Sequence, residues 1–434
     1  MRIGMVTAVY KPVINGVTRM VSLYRQHLEA AGHEVYIFTL GDPHPEDEER
    51  VIRSPGYMVG DYGYLLTIRY TREAQRLMQQ MDVIHSHHLF MSVELAHRYG
   101  RCPIVYTNHT RYDLYAGAYT SIPRSASDAI MRQVWPEFTD YADVVVAPSA
   151  SVAQIMQEFG VRRPIEVIEN GVELRPFLQP ARPLSKAELG IPETAVLLTY
   201  VGRLSPEKNL DILLQQFAIA RDIAPDLRLM LVGKGVIQES LETQARELGI
   251  GDAVHFTGAI PFEDVPNYMA AADLFVTASV TEVHPLTVIE AMAAGLPIVA
   301  VSSPGIVDTV TPGETGLLTT HLEGGLAAAM VGLALNPEQR RIMSGNVVEA
   351  SRHYAIENTV ARTLALYEKL HRERPDLQRD KPHGLRWYNR GKLLPVANKL
   401  GRWLRPSDNP LSSRRWIPDS LIRRQNNQQD HWHG

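Results

Sequence analysis

Residues 279–300 read Ser-Val-Thr-Glu-Val-His-Pro-Leu-Thr-Val-Ile-Glu-Ala-Met-Ala-Ala-Gly-Leu-Pro-Ile-Val-Ala. The apolar run Leu274-Phe275-Val276 just upstream reads as a strand. The periodic stretch after Pro285 reads as a helix. It stops at Gly295, the residue type that takes the left-handed conformation at helix ends, with Pro297 just beyond. Ile298–Val301 then reads as a second strand. A strand–loop–helix–strand unit of this kind belongs to a parallel α/β sheet, and the helix opens at the edge where such sheets bind ligands.

Two carboxylates, Glu282 and Glu290, bracket that helix start. A helix N-terminus offers free backbone N–H groups and a positive dipole end, which suits phosphate. Carboxylates accept hydrogen bonds from hydroxyls. Helical side chains lean toward the N-terminus, so Glu290 points back to the loop that carries Glu282. A phosphate flanked by two hydroxyl-bearing groups is a sugar nucleotide. For two isolated glutamates the plainer reading is a solvated Glu282 and a Glu290 that merely suits the dipole.

The E-x7-E spacing followed by Ala-Met-Ala-Ala-Gly-Leu-Pro resembles the retaining glycosyltransferases of family 4 type. The resemblance implies a GT-B fold: two Rossmann-like domains facing a central cleft, here with a basic C-terminal tail. It implies that Glu282 lies beside the donor sugar and that Glu290 binds the ribose hydroxyls. Where the family often has Gly-Phe-Gly, this chain has Val283-His284-Pro285. Pro285 has no N–H, so one phosphate donor is missing and Leu286 and Thr287 must carry that contact. Pro285 is expected in the first helical turn.

The chain has 434 residues, 45% hydrophobic and 21% charged, which suits a soluble protein of two or three domains. A net charge of −4 gives no reason to expect nucleic acid. A single cysteine, Cys102, excludes an internal disulfide framework and points to the cytoplasm. The start, Met1-Arg2-Ile3-Gly4-Met5-Val6, reads as a strand and not as a signal peptide.

Strands are expected at Ile3–Val9, Val35–Leu40, Val83–His85, Ile104–Tyr106 and Val144–Ala147, with helices such as Thr18–Ala30 between them. The pattern restarts with Val196–Val201, Arg228–Val232, His255–Thr257, Leu274–Thr277 and Ile298–Val301. Asn170-Gly171-Val172 and the region 176–183 read as an interdomain turn and linker. With the resemblance, the expected division is 1–175 for the acceptor domain and 176–354 for the nucleotide-sugar domain. A closing or crossover helix then spans 355–374, and a tail 375–434.

Other strand ends carry chemistry. Gly202-Arg203-Leu204-Ser205-Pro206-Glu207-Lys208-Asn209 places a cation pair after a strand, which suits a diphosphate. The resemblance implies that Arg203 and Lys208 bind the donor diphosphate and stabilise the leaving group. It also implies that Gly16 and Val17, after Asn15, touch donor phosphate from the first domain. His109 matches the family histidine near the anomeric carbon. The loops Gly233-Lys234-Gly235 and Gly258-Ala259-Ile260-Pro261 would hold the nucleobase, largely through backbone around Ile260. His85-Ser86-His87-His88 could suggest zinc, but no carboxylate or thiol accompanies it and no D-x-D occurs. These histidines are expected to line the acceptor side, with no bound metal or other cofactor.

The acceptor rests on two signals. The run from Tyr106 to Tyr115, Tyr-Thr-Asn-His-Thr-Arg-Tyr-Asp-Leu-Tyr, is similar to that of members that glycosylate diacylglycerol. The segment 381–424 holds eleven Lys/Arg against two acids, a surplus of nine, so the rest of the chain carries −13. Leu393, Val396, Ala397, Leu400, Trp403 and Leu404 recur there at helical spacing with basic flanks. A basic helix with tryptophan suits an anionic membrane surface, at ~1 kcal/mol per basic residue. The other reading packs this helix on the acidic body.

The expected protein is therefore a cytoplasmic, membrane-peripheral hexosyltransferase. It would take a nucleotide sugar and a lipid acceptor and form an α-glycoside, with no nucleic-acid partner. A soluble or polysaccharide acceptor and a GT-B sugar-nucleotide epimerase are the alternatives.

Overall fold

The computed structural model describes residues 1–59, 64–114, 124–320 and 324–373. Tyr115 and the tail 375–434 lie outside the described residues.

The strands, in chain order, are β1 (Arg2–Val6), β2 (Glu34–Leu40), β3 (Val51–Ser54), β4 (Tyr57–Val59), β5 (Tyr64–Leu66), β6 (Val83–Ser86), β7 (Ile104–Thr107) and β8 (Val144–Ala147). They continue as β9 (Ile165–Val167), β10 (Val196–Val201), β11 (Leu227–Val232), β12 (Val254–Gly258), β13 (Leu274–Thr277), β14 (Ile298–Val301) and β15 (Gly316–Thr319). Seven strands form one sheet in the order β3-β2-β1-β6-β7-β8-β9, and six form another in the order β12-β11-β10-β13-β14-β15. Within each sheet every pairing is parallel. Strands buried on both faces read as continuous apolar runs, and β8, β13 and β14 are buried along their whole length.

In each sheet the strand order reverses beside the first strand of its half, at β1/β6 and at β10/β13. Ligands bind outside the carboxyl ends at such reversals. The segments Asn15-Gly16, His87-His88, Gly202–Asn209 and Val280–Pro285 all follow the strands at these ends.

β1 is shorter than the expected Ile3–Val9. Beyond Val6 the chain turns out of the sheet: Thr7 Oγ1 donates to Val9 O at 2.8 Å, and Ala8 N–H donates to His88 Nδ1 at 3.2 Å. The helix after it starts at Gly16, two residues before the expected Thr18, because Asn15 caps it. Asn15 Oδ1 accepts from Thr18 N at 2.9 Å and Thr18 Oγ1 accepts from Asn15 N at 2.9 Å. Strands β3, β9 and β15 and the β4–β5 hairpin were not expected; β9 has three residues at a sheet edge, too few to show a period.

The last described helix, Ile356–Glu373, leaves the second sheet and packs on the first. Val172 pairs with the chain entering it, through Val172 N to Tyr354 O and Ile356 N to Val172 O. Farther along, Tyr24 and Thr363 hydroxyls meet at 3.3 Å and Tyr367 reaches His85. The apolar core is continuous here: Met20 and Val21, Leu286 and Ile289, and Val360 and Tyr367 belong to one buried cluster. Among the described residues no helix is long and apolar enough to cross a membrane.

Candidate active site

Two helix N-termini face each other across the cleft. A Cβ on Gly16 would lie 3.9 Å from Leu286 Cδ1, at the starts of helices Gly16–Ala30 and Leu286–Ala293. Both positive dipole ends and their first-turn N–H groups therefore converge on one place. Val17 is half-buried, with its side chain packed against the core. Leu286 is also buried. Pro285 sits at the cap position, one residue before the expected first turn, and caps with no side chain. The N–H groups of Leu286 and Thr287 thus stand at the helix opening.

Lys208 and Glu282 form an ion pair at 2.7 Å, and Ser279 Oγ donates to the same Glu282 oxygen at 2.7 Å. Burial pushes the Glu282 carboxyl up, but the Lys208 ammonium and the hydrogen bonds from Lys208 and Ser279 outweigh it and hold it below the usual range. Arg203 donates from Nε to Ser205 Oγ at 3.3 Å and from Nη2 to Glu207 Oε1 at 3.0 Å. Glu207 is buried and also accepts from Ser205 Oγ at 2.6 Å. Sequence reasoning missed Glu207, which orients Arg203 from below.

The loop carrying these cations is seated on Gly233-Lys234-Gly235. Leu204 N donates to Lys234 O at 3.2 Å. A Cβ on Gly233 would stand 2.0 Å from Gly202 O, and one on Gly235 would stand 1.9 Å from Leu204 O. These two glycines therefore let one loop lie directly on another.

Glu290 is fully buried, and its Oε1 accepts from Arg19 Nη2 of the facing helix. The same guanidinium lies 3.6 Å from the centroid of the Phe262 ring, next to the loop of Ile260. Glu290 Oε2 is buried with no partner. Burial raises the Glu290 carboxyl above its ordinary value against the attraction of Arg19. Arg19 is the second residue that sequence reasoning missed, although it stands one helical turn after Gly16, where it faces the same way.

His109 lies half-buried after β7, with Nε2 3.0 Å from His87 Nδ1. The neighbouring histidines do not line the cleft as expected. His85 is fully buried between Tyr367 and Thr107, His87 is 1% exposed, and His88 pins the chain after β1. Their three sets of partners differ, and among the described residues no group of three His, Cys, Asp or Glu side chains is placed to hold a metal. His284 is likewise turned inward. Its ring packs 5.2 Å from Tyr354, its carbonyl accepts from Asn170 Nδ2 at 3.0 Å, and burial pushes its imidazole down to about 4.

Two parallel sheets facing one cleft, with paired helix ends, a cation loop and the E-x7-E carboxylates, define a glycosyltransferase of GT-B fold. The chain belongs to glycosyltransferase family 4. Residues 14–175 match the family model "Glycosyltransferase Family 4" and residues 181–349 match "Glycosyl transferases group 1". The chain is 28% identical over 337 residues to the alpha-monoglucosyldiacylglycerol synthase of Streptococcus pneumoniae, covering 73% of this chain and 75% of that one. It is 30% identical over 323 residues to the D-inositol 3-phosphate glycosyltransferase of a Nocardioides species, covering 69% and 70%. In fold it is similar to Anabaena Alr3699/HepE, solved in complex with UDP and glucose. The TM-score is 0.69 at 20% identity, covering 85% of this chain and 100% of that one.

Proposed function

We propose that this glycosyltransferase is a retaining hexosyltransferase that moves a hexose from a nucleoside diphosphate sugar to a hydroxyl of a diacylglycerol-like membrane lipid, giving an α-glycoside. The observation that carries the reading is the convergence of the helix ends at Gly16 and Leu286, where a Cβ on Gly16 would lie 3.9 Å from Leu286 Cδ1, beside Glu282 and Glu290. A diphosphate suits the helix ends with Arg203 and Lys208, which would oppose the charge that develops as the glycosidic bond breaks. Gly16, Val17, Leu286 and Thr287 contribute backbone N–H groups. Glu282 takes sugar hydroxyls, Glu290 takes ribose hydroxyls through Oε2, and the backbone around Ile260 takes the base. His109 faces the reacting sugar. The proposal gives the positive charge to protein groups and calls for no chelated metal.

The lipid acceptor is supported by the pneumococcal relative's name and by the Tyr106–Tyr115 run. The segment 381–424, with its surplus of nine positive charges, would hold the enzyme at the anionic cytoplasmic face of a membrane. The second reading, a soluble acceptor, is favoured by the inositol-phosphate relative.

The test uses the purified full chain, a panel of radiolabelled sugar nucleotides, and vesicles with and without diacylglycerol. The expected result is vesicle-dependent release of nucleoside diphosphate and an organic-soluble glycolipid of α configuration. A water-soluble product would transfer the reading to a soluble acceptor. A β-glycoside would overturn retention. An epimerised sugar nucleotide without nucleoside diphosphate release would overturn transfer itself.

A further inference from the structure

The run His85-Ser86-His87-His88 holds three imidazoles within four residues, and each has a different job. His88 accepts the Ala8 N–H at Nδ1 and so fixes the backbone leaving β1. His85 is wedged between Thr107 Oγ1 at 2.6 Å and the Tyr367 hydroxyl at 2.5 Å. His87 meets His109, with Nδ1 to Nε2 at 3.0 Å, ring centroids 5.3 Å apart and ring planes within 20° of parallel.

His87 cannot turn freely, because the His85 ring lies 4.1 Å from it on one side and Tyr24 lies 6.0 Å away. Its other nitrogen, Nε2, is buried and has no partner. Burial holds both imidazoles neutral, His109 down to about 3 and His87 well below its usual value. Two neutral rings in this contact share one proton: one nitrogen donates and the other accepts. If His87 carried its proton on Nε2, that N–H would be a buried donor with no acceptor. An orphaned buried N–H is rarer in proteins than an under-satisfied lone pair, and leaving either group unpaired costs its desolvation. The better arrangement puts the His87 proton on Nδ1, donating to His109 Nε2. His109 must then carry its own proton on Nδ1, the nitrogen that makes no hydrogen bond among the described residues.

We propose that His87 is a positioning residue that fixes His109 as its Nδ1–H tautomer, so that His109 meets the sugar or acceptor oxygen as a neutral hydrogen-bond donor and not as a proton acceptor. The contribution to turnover rests on the transferase reading above; the tautomer does not. The second ring nitrogen sets which nitrogen of the first is protonated, and through it what His109 offers to substrate.

The experiment is nitrogen-15 NMR of the full chain labelled at histidine, with His109 assigned by its loss in His109→Gln. The expected spectrum shows His109 protonated at Nδ1. The variant His87→Phe keeps a ring against His85 but has no donor. It should lose that tautomer and lower kcat on the order of tenfold, with the donor KM changed less than about twofold. His87→Asn places an amide where Nδ1 was and should recover the tautomer and most of the lost turnover. A wild-type His109 protonated at Nε2, or a His87→Phe variant with the wild-type tautomer and kcat, would overturn the proposal. If no sugar nucleotide is turned over by the wild type, the transferase reading fails while the spectrum still decides the tautomer.

Discussion

Arg19 donates from Nη2 to Glu290 Oε1 across the cleft, from the first helix of one sheet to the helix after β13 of the other. The Glu290 side chain is fully buried and that of Arg19 is 18% exposed, so water does little to screen the pair. Removing one partner of such a pair strands the other charge. Arg19→Ala should destabilise the protein by ~3 kcal/mol, and Arg19→Ala combined with Glu290→Gln should lose less than Arg19→Ala alone. Denaturant midpoints of the two variants test this; a larger loss in the double variant would show that the two residues stabilise the fold separately.

Glu282→Ala should cut turnover by about 10²- to 10³-fold while nucleoside diphosphate binding stays close to wild type. The carboxylate is held by Lys208 and Ser279, and in the proposed function it meets the sugar and not the diphosphate. Near-normal turnover in the variant would remove Glu282 from the reaction.

Lys208→Ala should weaken nucleoside diphosphate binding by about 10- to 100-fold, since the proposed function makes the lost charge one of the two cations that meet the phosphates. Calorimetric titration checks it, and unchanged affinity would mean that Lys208 serves only its ion pair with Glu282.

Gly235→Ala should act on the same loop from a distance. The added Cβ would meet Leu204 O at 1.9 Å, so the segment Gly202–Asn209 must move. A loss of ~2 kcal/mol in stability and a weaker nucleoside diphosphate affinity are expected. Wild-type affinity together with wild-type stability would show that the loop yields without cost.

Stability should fall as pH is lowered from neutral. Burial holds His85 and His109 down to about 3, and His88 and His284 down to about 4. The unfolded chain therefore takes up protons near the ordinary histidine value of about 6.5, while the folded chain does not. Stability fully present above about 6.5 should decline by on the order of 1 kcal/mol per pH unit per histidine down toward those folded values. Urea midpoints at pH 7, 6 and 5 measure it, and a flat profile would show that these imidazoles are not held neutral.

The buried runs of β8, β10, β13 and β14 were legible because a parallel strand covered on both faces is simply apolar. The edge strands β9 and β15 were not, because three or four half-covered residues leave no pattern. The helix at Gly16 was displaced by two residues because an Asn–Thr capping pair, and not the apolar period, sets its start. His85 and His87 were misplaced to the cleft wall because a strand's alternation says that a side chain faces one side of a sheet, but not that Tyr367, 282 positions after His85 and on the last described helix, covers that side.

The sequence by itself determined the parallel α/β halves, the helix after Glu282, and which strand ends carry cations, glycines and carboxylates. Those depend on local period, caps and turn residues within about ten positions. Only the tertiary structure decided that Arg19 holds Glu290, that Lys208 holds Glu282, that Gly235 seats the Arg203 loop, and that His87 props His109. Each joins residues 22 to 271 positions apart. Partners so distant are chosen by the packing of sheets and helices, and nothing in the local sequence encodes which charge will stand opposite which.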